Sequence, residues 1–92
     1  MIRSFRHNGL RRLFADNNAR GINPQHRQRI ENILGLLDAS QKVSDMNVPS
    51  FRLHHLVGDW KGFWSVTVRA NWRIVFRFES GDAFDVDLVD YH

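Results

Sequence analysis

Two stretches in the first half of the chain repeat apolar residues at the spacing of an α-helix. The first predicts a short helix from about Asn8 to Ala15, with apolar residues at Leu10, Leu13 and Phe14. The second extends the repeat to i+7, at Ile30, Ile33, Leu34 and Leu37. Asn can cap free amides and Pro fits the first helical position, so this helix is predicted to begin at Asn23-Pro24 and to end near Ala39.

The second half of the chain changes to a period of two, which is typical of strands with one buried face. The predicted strands are Trp64–Arg69, Trp72–Glu79 and Phe84–Val89, joined by short links at Ala70-Asn71 and Ser80-Gly81-Asp82. Their apolar positions are Trp64, Val66 and Val68, then Trp72, Ile74, Phe76 and Phe78, and finally Phe84, Val86 and Leu88. Three consecutive strands with hairpin links predict an antiparallel meander.

Two less regular segments complete this prediction. A brief alternation from Ile2 to Phe5 predicts a first strand. The segment from Ser40 to Ser50 is polar and contains Pro49, so it is expected to be a loop with a short turn around Ser44 to Met46. The fold class is therefore α+β, with two N-terminal helices packed on a small antiparallel sheet. Its 92 residues are expected to form a single domain, 1–92.

The sheet face turned away from the helices is expected to be polar. Arg73 and Arg77 lie on the same face of one strand, with Val75 between them on that face. Asp85 and Asp87 on the next strand are candidate cross-strand partners. Ion pairing across the sheet would account for some of these arginines.

Composition removes several classes of function. Cysteine is absent, which excludes a disulfide framework, a thiol nucleophile and every thiolate metal site. The start, Met1 to Arg6, lacks the apolar stretch of a signal peptide, and no run approaches the roughly 20 apolar residues of a membrane span. A cytoplasmic protein without a membrane partner is expected.

The net charge of +3 is unevenly spread. Residues 1–43 carry 8 Lys and Arg against 3 acids, whereas residues 44–92 carry 5 against 7. The basic residues of the first thirty positions include Arg3, Arg6, Arg11, Arg12, Arg27 and Arg29. Guanidinium groups bind phosphates and release counterions, so this half suits a polyanion such as RNA. A solvated basic face accounts for the same charges.

Four of the five histidines stand at positions that suit chemistry: His26, His54, His55 and His92. The adjacent pair His54-His55 on a strand would point to opposite faces, and the chain has no His-x3-His or carboxylate–His helix pair, so no metal site or other cofactor is expected. A metal-free ribonuclease instead needs a base, an acid and fixed cations beside the phosphate. Imidazole suits either proton-transfer role, and Arg suits the electrostatic one.

The chain ends on Asp90-Tyr91-His92, directly after the last predicted strand. If that strand end lines a cleft, Tyr91 could stack on a base and His92 could transfer a proton. The chain's own carboxylate lies beside the His92 ring and favours its charged form. An exposed polar tail is the alternative interpretation.

An ordered set of segments closely resembles the HigB toxins of the RelE superfamily over nearly the whole length. The segments are Met1-Ile2-Arg3-Ser4-Phe5, Arg52-Leu53-His54, Gly58-Asp59, Trp64 to Arg73 and Asp90-Tyr91-His92. The resemblance implies a RelE-like fold and a metal-independent endoribonuclease, an mRNA interferase that cleaves messenger RNA in the A site of the bacterial ribosome. It also implies a HigA-like helix-turn-helix antitoxin, through which operator DNA would be contacted only indirectly.

The same resemblance implies the site residues. Matched position by position, the catalytic residues are His54, Asp90, Tyr91 and His92. His54 and His92 are assigned to proton transfer, Asp90 to orienting a partner and Tyr91 to positioning the nucleotide. The resemblance assigns the RNA phosphate to Arg73, and Arg69 and Lys61 are further candidates for contacting it.

One departure from the family pattern bears on activity. Many relatives carry Leu-His-Pro-Leu-Lys-Gly-Asp where this chain has residues 53–59, so Val57 replaces a basic residue and His55 a proline. Loss of that cation would weaken stabilisation of the transition state unless Lys61 or Arg73 compensates. The alternative function is therefore a ribosome- or antitoxin-binding growth inhibitor without nuclease activity. A metal-dependent hydrolase, inactivated by chelator, is a third hypothesis.

Overall fold

The computed structural model describes residues 1–91. Two helices, α1 (Asn8–Asp16) and α2 (Arg27–Ala39), precede the strands β1 (His54–His55), β2 (Trp64–Arg69), β3 (Trp72–Glu79) and β4 (Asp82–Asp90). Each strand pairs antiparallel with the next, in the order β1-β2-β3-β4. Short 3-10 turns occupy Val43–Met46, Pro49–Phe51 and Gly58–Trp60. The predicted α+β class is confirmed, as is the turn near Met46.

The second helix starts three residues later than its apparent start signal. Asn23 and Pro24 form a turn in which the His26 amide donates to the Asn23 carbonyl at 2.9 Å and the Gln25 amide donates to Asn23 Oδ1 at 2.9 Å. The Asn23 side chain therefore caps this turn, and regular helix begins at Arg27. The prediction of a helix from Asn23 was wrong at this end and correct at Ala39.

The predicted first strand, from Ile2 to Phe5, is replaced by two isolated bridges to β4. Ile2 pairs parallel with Ala83 and Phe5 with Val86. Asp85 lies between those partners with a φ of 55°, as an extra residue in β4, and its amide donates to Ser4 Oγ at 2.8 Å. The bulge breaks the ladder after each contact, so no continuous strand forms.

The same bulge changes which residue of β4 is buried. Phe84 was predicted on the apolar face, but Ala83 is fully buried there and Phe84 is half-buried beside Arg77 on the other face. Two residues, Asp85 and Val86, oppose the single Phe76, which resets the alternation. Val86 and Leu88 then follow the predicted face.

The main core lies between the helices and one sheet face. It combines the predicted helical stripes with Val66, Val68, Ile74 and Phe76. Two residues predicted at apolar positions, Phe14 and Trp72, remain 39% exposed. No helix within residues 1–91 has the length and apolar character needed to cross a bilayer.

A second apolar cluster lies on the opposite sheet face, so the prediction that this face is polar was wrong for that part of it. Its buried members are Leu56, Phe63 and Val75, and it is flanked by Trp60, Val89 and Tyr91. The segment between β1 and β2 folds back over Val75 to form this cluster. That segment builds one wall of a cleft.

Candidate active site

A cleft of about 440 Å³ opens on the sheet face that carries this second cluster. One wall is the loop between β1 and β2, and the other is the end of β4. The lining residues are Val57, Asp59, Trp60, Val89, Asp90 and Tyr91. The expectation that the last strand ends at a cleft therefore agrees with the structure for Asp90 and Tyr91, whereas His92 lies outside the described residues.

The loop wall is fixed by its own hydrogen bonds and by the buried side chains of Leu56 and Phe63. The Leu56 amide donates to the Phe63 carbonyl, and the Phe63 amide donates to the Trp60 carbonyl, both at 2.9 Å. Gly58, with a φ of 67°, and Gly62, with a φ of 91°, supply the left-handed turns that close the loop. The loop is therefore pinned at both ends while its tip faces the cleft.

The opposite wall carries an aromatic ring beside a guanidinium. The Tyr91 amide donates to the Asn71 carbonyl at 2.8 Å, which continues the strand pairing beyond β4. The Arg73 guanidinium carbon lies over the Tyr91 ring, 5.5 Å from its centre, within the range of a cation–π contact. Arg73 is thus placed at the edge of the cleft, although it does not line it.

Arg73 has unused capacity to bind an anion. Its Nη1 donates to Thr67 Oγ1 at 3.4 Å, and its Nε is buried without a partner. No carboxylate within residues 1–91 forms an ion pair with it, and the residue opposite it in β4 is Val89. A guanidinium with no carboxylate partner among the described residues is suited to a phosphate.

Arg77 behaves differently on the same strand and face. Its Nη1 lies 3.2 Å from Asp85 Oδ2, and its Nη2 lies 3.0 Å from Glu79 Oε1. The predicted cross-strand pair of Arg77 with Asp85 is confirmed. In β3, Arg77 is therefore neutralised by ion pairs with Asp85 and Glu79, whereas Arg73 forms no ion pair with any described residue.

His54 lies on the same sheet face at the far edge. It pairs with Ser65, which pairs with Val75, so these side chains share the face of the cleft. Strands are spaced about 4.8 Å apart, which puts the edge strand β1 roughly 14 Å from β4 across the sheet. His54 is exposed and does not line the cleft, so the structure places it on the correct face but at a distance from Tyr91.

The other predicted phosphate ligands are exposed and outside the cleft lining. Arg69 ends β2 beside the hairpin, where a bulge pairs it with Trp72. Lys61 follows Trp60 in the loop, and its amide donates to the Gly58 carbonyl at 3.0 Å. Both side chains remain candidates for contacting RNA that extends from the cleft.

Several arginines of the basic front half have structural roles. Arg3 pairs with Asp82 at 3.2 Å and Arg27 with Glu31 at 3.6 Å. Arg29 donates to the Thr67 carbonyl at 2.9 Å and lies over the Phe51 ring. Part of the positive charge in the first half of the chain is therefore used in contacts within the protein. Arg73, which belongs to the acidic half, lies nearer the cleft than these arginines do.

Trp60 is the cleft residue that the sequence interpretation missed. Its ring packs at 85° to the Phe63 ring, with centres 5.3 Å apart, and remains partly exposed. A large aromatic side chain between two glycines of a short turn is an available signal, because such loops usually carry small polar residues. The acidic residue beside it in the cleft lining is Asp59.

The comparisons with known proteins agree with one another. A family model described as the RelE-like toxin of type II toxin–antitoxin system HigB matches residues 3–92. The chain is 44% identical over 92 residues to "Endoribonuclease HigB" of Proteus vulgaris, covering 100% of both chains. It is 31% identical over 93 residues to "Toxin HigB-1" of Vibrio cholerae serotype O1, covering 96% of this chain and 95% of that protein.

Proposed function

The chain belongs to the HigB-like family of RelE-like toxins in type II toxin–antitoxin systems, and from that premise we propose that it cleaves messenger RNA in the ribosomal A site without a metal ion. Its endoribonuclease activity and its pairing with an antitoxin follow from the family. Dependence on the ribosome, independence from metal and the roles of individual residues are the new content of the proposal.

The observation that carries the proposal is the position of Arg73. This guanidinium has no carboxylate partner among residues 1–91 and lies over Tyr91 at the edge of a cleft large enough for a nucleotide. As the 2′-oxygen attacks the phosphorus, negative charge builds on the phosphate oxygens. A fixed, partly buried cation stabilises that charge more strongly than water does.

The proton transfers are assigned to imidazole groups. One of His54 and His92 removes the 2′-hydroxyl proton, and the other donates a proton to the leaving 5′-oxygen. Asp90 orients a partner, and Tyr91 positions the nucleotide in the cleft that both residues line. This assignment requires the scissile phosphodiester to lie between His54 and the end of β4, which share one sheet face.

The direct test is to induce the protein in bacteria and map the ends of messenger RNA. New ends within codons, lost after His92→Ala, are expected. Intact messages while growth stops would favour the alternative of a binding inhibitor, as would growth arrest that survives substitution of both His54 and His92. Messenger RNA incubated with the protein, with and without purified ribosomes, tests ribosome dependence. Metal independence is tested separately, with a chelator selective for transition metals that leaves the Mg²⁺ of the ribosome in place.

The proposed partners are the bacterial ribosome with its messenger RNA and a HigA-like antitoxin carrying a helix-turn-helix domain. Operator DNA would be bound through the antitoxin alone. Co-expression of the neighbouring small reading frame, followed by co-purification and an operator-binding assay, tests both statements. Operator binding by the toxin alone would contradict the second.

Val57→Lys is expected to increase the rate of cleavage. Val57 lines the cleft and is 78% exposed, so a lysine there would reach the bound RNA without disturbing the core. A lysine that extends from this exposed position toward the phosphate at the cleft opening is expected to accelerate cleavage about 10-fold, less than a fully preorganised donor would. Single-turnover cleavage on programmed ribosomes measures this, with Val57→Met as the uncharged control of similar length. Equal rates for the two variants would mean that the missing charge does not limit the reaction.

A C-terminal extension is expected to weaken activity. The described chain reaches the cleft at Asp90 and Tyr91, and a segment added after His92 would crowd that opening. Tagged and untagged proteins should be compared at equal concentration in the ribosome assay, with an N-terminal tag as the control. Equal activity of all three forms would remove this argument.

A further inference from the structure

The charge of the cleft lining indicates where the base and the phosphate of a nucleotide bind. Among residues 1–91 the lining holds two carboxylates, Asp59 and Asp90, and no cation. Negative groups at the wall oppose entry of a phosphate. The remaining lining is two aromatic rings and two valines, a surface that suits a flat, uncharged nucleobase. The base is therefore expected inside the cleft and its phosphate outside, on the side of Arg73.

The two aromatic rings of the cleft are not equally available to a base. One face of the Tyr91 ring is covered by the Arg73 guanidinium at 5.5 Å. The Trp60 ring meets Phe63 at nearly a right angle, with centres 5.3 Å apart, and belongs to the rim of the cluster around Val75. It is held in place yet partly exposed in the cleft, so little conformational entropy is lost when a base binds.

We propose that Trp60 is a base-binding residue of this enzyme, on which one nucleobase of the RNA stacks inside the cleft. The inference rests on the proposed function and adds a nucleotide-positioning residue to it. Stacking on an aromatic ring accepts any base, because every base has a π face. In this site the base is thus positioned by an aromatic residue of the loop, next to the exposed Val57, while the phosphate is held from the sheet.

The test compares Trp60→Ala and Trp60→Phe with wild type in binding to ribosomes that carry a messenger RNA with 2′-deoxynucleotides in the A-site codon. This substrate lacks the attacking hydroxyl, so the measurement does not depend on cleavage. The Ala variant is expected to bind on the order of 10-fold or more weakly, and the Phe variant to retain most of the affinity. Phe14→Ala, which removes an exposed ring of α1 outside the cleft, is the matched control and should bind normally. Thermal unfolding of each variant shows whether it is folded.

Abasic nucleotides then identify the stacked base. Each position of the codon is replaced in turn by an abasic nucleotide, and binding of wild type and Trp60→Ala is compared. At one position the two proteins should bind equally weakly, since the partner of the ring is gone. A difference that persists at every abasic position, or the absence of any Trp60→Ala effect, would overturn the inference. If wild type itself fails to bind, the proposed ribosomal function fails and the inference with it.

Discussion

Replacing Arg73 with Ala is expected to slow messenger RNA cleavage on the order of 100- to 1000-fold. The guanidinium lies over the Tyr91 ring at the edge of the cleft and has no ion-pair partner within residues 1–91. Its substitution should therefore remove a cation from the developing charge on the phosphate and leave the fold largely intact. Single-turnover cleavage on ribosomes programmed with a defined message measures the loss, and thermal unfolding monitors the fold.

The strand supplies a matched control for this experiment. Arg77 shares the strand and the face of Arg73 but is neutralised by Asp85 and Glu79, so Arg77→Ala should change the cleavage rate only slightly. Arg73→Lys keeps the charge but loses the planar two-pronged geometry, and it should recover part of the rate. Similar losses for both alanine variants would contradict the assignment, because the effect would then follow from general charge or stability.

The regular elements of this fold were predictable because their periodicity is local. The stripe of α2, from Ile30 to Leu37, is buried as its spacing predicted, and β3 begins and ends at the predicted residues, Trp72 and Glu79. Both segments bury one face against the same core, so the pattern of apolar residues directly records the packing. A helix start is less well recorded, since Asn23 can cap either a helix or a turn.

Departures from regular pairing were not predictable from the alternation. The extra residue in β4, Asp85, is stabilised by contacts with residues 79 and 81 positions earlier in the sequence, Arg6 at 3.9 Å and Ser4 Oγ at 2.8 Å. Such contacts leave no signal in the neighbourhood of the bulge. The alternation alone consequently placed Phe84 on the buried face, where the structure has Ala83.

The candidate site was predictable in part for a related reason. Asp90 and Tyr91 end a clear strand, and the resemblance to HigB toxins pointed to the same residues. The other wall comes from the loop after β1, whose position depends on Leu56 and Phe63 packing on Val75. Nothing periodic marks that contact, and so the sequence interpretation missed Trp60, although the same contact sets the depth of the cleft.

Replacing His54 with Ala is expected to slow cleavage by at least about 100-fold, whereas His55→Ala should have little effect. The two residues are adjacent but face opposite sides of the sheet. His54 shares the side of Ser65 and Val75, on which the cleft lies, and the His55 ring stacks on Trp64 with centres 4.3 Å apart. Comparison of the two variants therefore separates a role in proton transfer from a general effect of losing an imidazole in β1.

Added imidazole makes this comparison decisive. If His54 transfers a proton, free imidazole should restore part of the His54→Ala rate, and the restored rate should rise with the concentration of the imidazole form that performs the transfer. A side chain that only supports the fold would not be replaced in this way. Full activity of His54→Ala, or equal losses in both variants without rescue, would assign this proton transfer to a residue other than His54. An inactive variant that still binds programmed ribosomes would show that His54 acts in the chemical step rather than in holding the RNA.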